Sequence, residues 1–287
     1  MRFLLTAILV GASFLFANAA GLDKVRFHNM ETDTAKITEI LIKAEHLKDS
    51  DPCTRAEFIA KQFLGLPYVA STLEGETEMV TVNVDELDCT TYVETVLAMA
   101  YTIGEGRTSW RDFVYNLERM RYRGGELNGY SSRLHYISDW IVDNTHRGNF
   151  HEATNRFEYY NYQIKSIRFM TANRDKYTAL ADSATYEDMK NVEIGYRNHR
   201  FPYIKKIDLS RKDIKRSFKA GDVVALTTRT DLLDVAHLGF ITFVDGEPHL
   251  MHASLKAMEV IIDKLPLYEY MAKSRNLTGL RVIRLNE

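Results

Sequence analysis

The feature that most constrains this chain is a cysteine placed where an extended segment gives way to a helix. Residues 81–84 have the composition of a strand, and Asp88-Cys89-Thr90-Thr91 then opens a run of apolar residues at helical spacing. Asp88 is well suited to cap that helix, and a substrate contact is its alternative role. The N–H groups and positive dipole of a helix start favour a thiolate. Cys89 is therefore a candidate nucleophile, although free cysteines are more often inert core residues.

Two histidines lie on strand-like segments near the C-terminus. Residues 244–247 predict a hairpin with a two-residue Asp-Gly turn, and this register puts His252 opposite Gly239. Because side chains alternate between the faces of a sheet, His252 then shares a face with His237, and His249 lies on the other. His237 and His252 become diagonal neighbours, and Gly239 leaves room between them. A turn of odd length would select His249 instead.

Five short motifs occur in one order along the chain. They are Leu-Gly-Leu-Pro-Tyr at 64–68, Asp-Cys-Thr-Thr-Tyr-Val-Glu at 88–94, Gly-Asp-Val-Val at 221–224, His-Leu-Gly at 237–239 and His-Ala-Ser at 252–254. Together they resemble the NlpC-type papain-like hydrolases of bacterial cell walls, and more narrowly the branch with N-acetylmuramoyl-L-alanine amidase activity. The blocks at 119–125 and 130–136 also resemble that branch. The resemblance covers about residues 65–141 and 222–287 and is thin between about 144 and 215.

The resemblance implies a catalytic triad. Cys89 would attack an amide carbonyl, His237 would hold the thiolate as an ion pair and then protonate the leaving nitrogen, and His252 would orient His237. The interval of about 150 residues between Cys89 and His237 fits papain-like enzymes. The resemblance and the hairpin register both select His252, whose alternative role is that of an ordinary strand histidine. The backbone N–H of Cys89 is a candidate oxyanion donor.

Six residues are candidate substrate contacts. They are Tyr68, Asp88, Arg133, His135, Asp139 and Trp140. Tyr68 matches a family motif whose tyrosine lies beside the nucleophile, and its alternative role is a core aromatic. The last four are separated by intervals close to those of a helix, so we expect two or three of them to share one helix face. Arginine and aromatic side chains suit the carboxylates and sugar rings of a muropeptide. The alternative is that these four residues belong to a half-exposed helix that does not bind substrate.

Predicted helices precede predicted strands, which indicates an α+β fold. A helix capped by Asp33 comes first, and a capping box at Thr54 begins the next, with Cys53 just outside it. Further helices are expected at about 89–103, 110–121 and 133–144, and strands at 222–227, 237–244, 248–253, 258–262 and 279–285. The resemblance specifies a papain-like (NlpC-type) fold in which the nucleophile starts a helix packed on an antiparallel sheet. Residues 145–215 are expected to form a central insertion.

Residues 1–19 have the pattern of a secretory signal peptide. A short basic start precedes an apolar run over residues 3–16, and Ala17-Asn18-Ala19 supplies a small-x-small cleavage motif. The run is shorter than a bilayer span requires, and no later segment is long and apolar enough to cross a membrane. We therefore expect cleavage near Ala19/Ala20, export to the periplasm or the medium, and a single mature domain over residues 20–287.

Charge and cysteine content narrow the possible partners. The net charge is −2, and nothing in the sequence suggests nucleic-acid binding. The chain has two cysteines, Cys53 and Cys89. Although an export compartment permits a disulfide, a bridge between them would block the proposed nucleophile, so we expect both thiols to stay free.

The predicted function is a cofactor-independent and metal-free amidase that cleaves the bond between N-acetylmuramic acid and L-alanine in peptidoglycan fragments. A stem-peptide endopeptidase of the γ-D-glutamyl-diamino acid type is the nearest alternative, since the same triad cuts peptide bonds. A zinc hydrolase using Cys89, His237 and His252 as ligands is a second alternative. A non-catalytic glycan-binding module is a third.

Overall fold

The computed structural model describes residues 21–286, so the expected signal peptide lies outside the described residues. Between residues 21 and 286, no helix is both long and apolar enough to cross a membrane. Cys53 is buried, Cys89 is half-buried, and both are free thiols, as expected.

Helices dominate the first half of the described chain and strands the second. The helices are α1 (Met30–Ala44), α2 (Pro52–Lys61), α3 (Cys89–Gly104), α4 (Trp110–Arg121), α5 (Ile137–His146), α6 (Phe169–Ala172), α7 (Ser183–Ile194), α8 (Lys212–Ser217) and α9 (Leu267–Lys273). The strands are β1 (Val25–Phe27), β2 (Val80–Val82), β3 (Phe150–Glu152), β4 (Tyr160–Lys165), β5 (His199–Lys205), β6 (Val223–Thr228), β7 (Val235–Val244), β8 (Glu247–Ser254), β9 (Glu259–Pro266) and β10 (Leu277–Leu285).

One eight-stranded antiparallel sheet organises the molecule. Its order is β4-β5-β10-β6-β7-β8-β9, and β3 also pairs with β10. Alternate residues of β6 face two different layers: Val223 and Ala225 pack with helices α1 to α5, whereas Val224 and Leu226 pack with α8 and α9. The expected combination of helices with an antiparallel sheet is therefore confirmed, and α3 packs directly on β7 and β8.

The first two helices begin earlier than predicted. Asn29 caps α1, because its side chain accepts the N–H groups of Glu31 and Thr32. Asp33, the predicted cap, is instead buried inside α1, where its carboxylate accepts the N–H groups of Asn29 and Val84.

Helix α2 is capped by Asp51 and has proline at its first position, where a missing N–H costs nothing. Cys53 therefore lies inside this helix rather than before it, and the predicted start at Thr54 was wrong by two residues. The Cys53 thiol lies 3.9 Å from the carboxylate of Asp222, the residue that precedes β6.

Helix α5 begins at Ile137, so the predicted helix over 133–144 starts too early. Arg133 is extended and pairs with Tyr122, a tertiary contact that local spacing does not report. Arg133 and His135 therefore precede the helix that carries Asp139 and Trp140. The expectation that these four residues belong to one helix is therefore wrong.

The β7–β8 hairpin has the predicted register. Val244 pairs with Glu247, and Thr242 pairs with His249. Asp245 and Gly246 have φ of 50° and 79°, the backbone of a type I′ turn, which matches the twist of the strands it joins. Residues 145–215, expected as an insertion, contribute β3, β4 and β5 to the same sheet.

Candidate active site

Cys89 is the first residue of α3, as predicted. The Asp88 side chain accepts the N–H groups of Thr90 at 3.0 Å and Thr91 at 2.8 Å. Thr91 completes a capping box by accepting the Asp88 N–H at 2.9 Å. Asp88 thus has the capping role, and the cap fixes the direction in which α3 presents the thiol.

His237 and His252 meet on one face of the β7–β8 hairpin. Nε2 of His237 lies 2.6 Å from Nδ1 of His252, and the two rings are nearly perpendicular. A Cβ atom at Gly239 would lie only 3.0 Å from the Cβ of His252, so the glycine makes this approach possible. Since His237 uses Nε2 for His252, its Nδ1 is the nitrogen left to face a reacting group. The backbone N–H of the adjacent Leu238 is close enough to the Cys89 sulfur to oppose a rise in the pKa of the thiol.

The thiol and both imidazoles are neutral in this environment. Burial, reinforced by the Asp88 carboxylate, raises the pKa of Cys89 to about 11, although the N–H of Leu238 opposes the shift. Burial lowers the pKa of His237 to about 4, and burial together with His237 lowers the pKa of His252 to about 3. The expectation of a lowered Cys89 pKa is therefore wrong, because desolvation outweighs the helix dipole at this position.

Tyr68 lies close to Cys89 and Asp88. It pairs with Leu87 at the entry to α3. Burial and the proximity of Cys89 and Asp88 raise its pKa to about 12.

Two residues that were not predicted from the sequence also lie next to His252. The Asp263 carboxylate lies 3.9 Å from Nε2 of His252, and the Tyr270 ring packs edge-on against His252 at 5.5 Å between centroids. Burial and the nearby Asp263 and Cys89 raise the pKa of Tyr270 to about 12. Neither residue belongs to a recognised motif. Asp263 lies on the irregular strand β9, and Tyr270 lies on the short helix α9 that follows it.

The other candidate contacts are engaged inside the protein. Arg133 is buried between the carboxylates of Glu74 at 2.7 Å and Glu78 at 3.3 Å. His135 bonds through Nε2 to the Tyr130 carbonyl at 2.9 Å and packs against the Tyr130 ring. The contacts of Arg133 and His135 therefore stabilise the 130–136 segment in the described structure.

Asp139 and Trp140 are also internal. Asp139 receives a bidentate pair of bonds from Arg123 at 2.8 and 2.7 Å, and a third from the Tyr196 hydroxyl at 2.6 Å. Trp140 is 1% exposed and packs on Phe150 in the main core, which leaves no ring face for a sugar.

A buried ion pair connects α3 to the 119–125 block. Arg121 donates to Glu94 at 2.6 Å and to the Thr81 carbonyl at 2.7 Å, and both charged side chains are almost fully enclosed. Each block therefore supplies one charge of a buried pair that would be costly to leave single.

Across residues 21–286, no group of three or more histidine, cysteine, aspartate or glutamate side chains is arranged to hold a metal ion. Cys89, His237 and His252 supply a thiol and two imidazoles, the kinds of side chain that thiol hydrolases use as nucleophile, base and orienting group. Such a site is able to transfer acyl groups.

The comparisons with known proteins agree with that class. The model of the N-acetylmuramoyl-L-alanine amidase-like (AmiA-like) family matches residues 58–279, and the chain belongs to this family. A crystal structure of an N-acetylmuramoyl-L-alanine amidase from Bacteroides uniformis is similar, with 34% identity, a TM-score of 0.78, and 82% of this chain and 99% of that one covered.

Two other solved structures are also similar. A Bacteroides fragilis protein with the provisional name of a xylanase has 37% identity and a TM-score of 0.74, with 79% of this chain and 98% of that one covered. A Legionella pneumophila protein with 20% identity and a TM-score of 0.69 shares the fold, with 90% of this chain and 96% of that one covered. No curated protein matched the sequence.

Proposed function

We propose that this protein is a cysteine amidase of the NlpC-type papain-like class, which hydrolyses the amide between N-acetylmuramic acid and L-alanine in peptidoglycan fragments. The observation that carries the proposal is the contact of 2.6 Å between His237 and His252, next to a thiol at a helix start. The family and its Bacteroides uniformis relative support the choice of substrate.

The neutral resting state defines the first step. As the Cys89 sulfur attacks the lactyl carbonyl carbon, its proton passes to Nδ1 of His237, so that charge develops only when the substrate is present. The backbone N–H of Cys89, at the first position of α3, is the candidate donor to the oxyanion.

Collapse of the tetrahedral intermediate breaks the carbon–nitrogen bond. His237 gives its proton to the leaving nitrogen, which departs as the amine of L-alanine and leaves a thioester on Cys89. Water, deprotonated by His237, then attacks the thioester and regenerates the thiol. His252 holds the His237 ring in place through both steps.

The provisional name of the Bacteroides fragilis structure denotes glycan hydrolysis, which ordinarily uses a pair of carboxylic acids. The groups that meet at the α3 start are instead a thiol and two imidazoles, which suit acyl transfer. We therefore favour cleavage of an amide over cleavage of a glycosidic bond.

Mass spectrometry of the products from one defined muropeptide tests the proposal. Purified mature protein should convert N-acetylmuramoyl-L-Ala-D-Glu-containing substrate into free N-acetylmuramic acid and a peptide with a new L-alanine amine. Cleavage after D-Glu, with the sugar still on L-alanine, would establish the endopeptidase alternative instead. Binding without turnover would establish a glycan-binding module, and loss of activity with a chelator would establish the zinc hydrolase.

We also propose that the enzyme works outside the cytoplasm. The motivating feature is the basic start, apolar run and Ala17-Asn18-Ala19 motif at the N-terminus. Expressed in a Gram-negative host, the protein should fractionate with the periplasm and begin at Ala20 or Gly21. Recovery of protein that retains Met1 from the cytoplasm would contradict this assignment.

A further inference from the structure

Strand β9 departs from regular pairing next to the histidine pair. Met251 of β8 pairs with Ile262, yet His249 pairs with Pro266, so β9 carries two extra residues over this interval. His249 bonds through Nδ1 to the Asp263 carbonyl at 2.8 Å, and the Leu265 N–H donates to Oδ1 of Asp263 at 2.9 Å. These contacts fix an irregularity of the kind that re-aims side chains beside active sites.

The irregularity brings the Asp263 carboxylate to the far side of His252. Oδ2 of Asp263 lies 3.9 Å from Nε2 of His252, whose side chain is 2% exposed. Among the described residues, this buried nitrogen has no hydrogen-bond partner. The separation is longer than a hydrogen bond, and such contacts often shorten when substrate closes a site.

We propose that Asp263 is a positioning residue that keeps the His252 proton on Nε2, an inference that rests on the proposed function. With Nε2 protonated, Nδ1 of His252 accepts a hydrogen bond from Nε2 of His237. Nδ1 of His237 then carries no proton and is free to take the one from Cys89. In the opposite tautomer, Nδ1–H of His252 would donate to Nε2 of His237. The single proton of the neutral His237 ring would then lie on Nδ1, where it blocks the transfer from Cys89.

The carboxylate acts on the tautomer and not on the net charge of His252. The groups that face the His252 ring are His237 from β7, Asp263 from β9 and Tyr270 from α9. Burial and His237 keep the pKa of His252 at about 3, so the ring remains neutral beside Asp263 at physiological pH. A neutral ring has one proton, and the negative oxygen favours its placement on the nearer nitrogen.

Replacing the carboxylate by an amide reverses this preference. In Asp263→Asn the amide oxygen keeps the Leu265 N–H, so the NH₂ group faces Nε2 of His252 and favours the proton on Nδ1. We expect kcat to fall on the order of 10²-fold, by the same logic as a wrong histidine tautomer in serine proteases, while KM changes by less than about twofold. Asp263→Ala, which imposes neither tautomer, should lose less than Asp263→Asn.

A purely structural role predicts the reverse ranking, because asparagine preserves the shape and the Leu265 contact whereas alanine removes both. Asp245→Asn is the matched control, since Asp245 is exposed on the β7–β8 turn and asparagine tolerates its positive φ. Its kcat should equal that of wild type. An Asp263→Asn enzyme with wild-type kcat, or one more active than Asp263→Ala, overturns the proposal.

A second measurement does not depend on turnover. The measurement is NMR of Cys89→Ala protein labelled with ¹⁵N-histidine, with His252→Gln used to assign the His252 signals. The ¹⁵N chemical shifts of the ring nitrogens should show that the His252 proton is on Nε2 at pH 7. Addition of Asp263→Asn should move it to Nδ1. A proton on Nδ1 in the Cys89→Ala parent overturns the inference, whereas an inactive wild type with Nε2 protonated would reject the amidase proposal and leave the inference standing.

Discussion

At the scale of the residue, the two cysteines differ in what surrounds them. Cys89→Ala should abolish amide cleavage with little loss of stability, because alanine fits the first turn of α3. Cys53→Ala should keep activity, since Cys53 lies against Asp222. Iodoacetamide should label Cys89 faster than Cys53, whose pKa burial raises to about 12. Full activity of Cys89→Ala would exclude the thiol mechanism.

The Asp88 carboxylate offers a finer test at the same scale. It raises the pKa of the Cys89 thiol, because a second negative charge beside the thiolate is unfavourable. Asp88→Asn keeps a good helix cap and removes the charge, so the free energy of unfolding should change by less than about 0.5 kcal/mol. The pH profile of Cys89 alkylation should shift to lower pH. A profile identical to wild type would show that burial alone sets the pKa.

At the scale of the element, the hairpin distinguishes its two histidines. His252→Ala should reduce kcat strongly, on the order of 10²-fold or more, because His237 loses the partner that orients it. His249→Ala removes only the bond that fixes the Asp263 carbonyl, so its loss should be clearly smaller. Steady-state kinetics on the muropeptide measures both. Equal losses would mean that the β9 irregularity matters as much as the triad itself.

The elements that sequence predicted well are those with local causes. A two-residue Asp-Gly turn fixes the register of β7 and β8, so the meeting of His237 and His252 followed from the sequence alone. The start of α5 was misplaced because the pairing of Arg133 with Tyr122 is a tertiary contact. The approach of Asp263 was missed for a similar reason, since two extra residues in β9 leave no periodic signal.

At the scale of the whole molecule, buried histidines make stability depend on pH. Burial holds the pKa of His135 well below its usual value and that of His237 at about 4. Below pH 6.5 the unfolded chain takes up protons that the folded chain refuses, so the free energy of unfolding falls as pH falls toward those values. Each such histidine contributes up to about 1.4 kcal/mol per pH unit.

His135→Gln isolates one of these contributions, because glutamine is able to donate to the Tyr130 carbonyl in place of the ring. Urea unfolding between pH 6.5 and 5 should show a smaller loss of stability in the variant than in wild type. His46→Gln is the matched control, because it makes the same substitution at an exposed histidine. Parallel wild-type and His135→Gln curves would show that His135 is protonated in the folded state.

Gly239 limits how the thermal stability of this protein is able to be increased. Replacing glycines in strands with branched residues is an ordinary route to greater heat resistance, because it reduces the freedom of the unfolded chain. At Gly239 even a methyl group would collide with Met251 and His252, so the usual gain in stability would come with the loss of the contact between His237 and His252. The contact between the two histidines therefore requires a residue without a side chain at position 239.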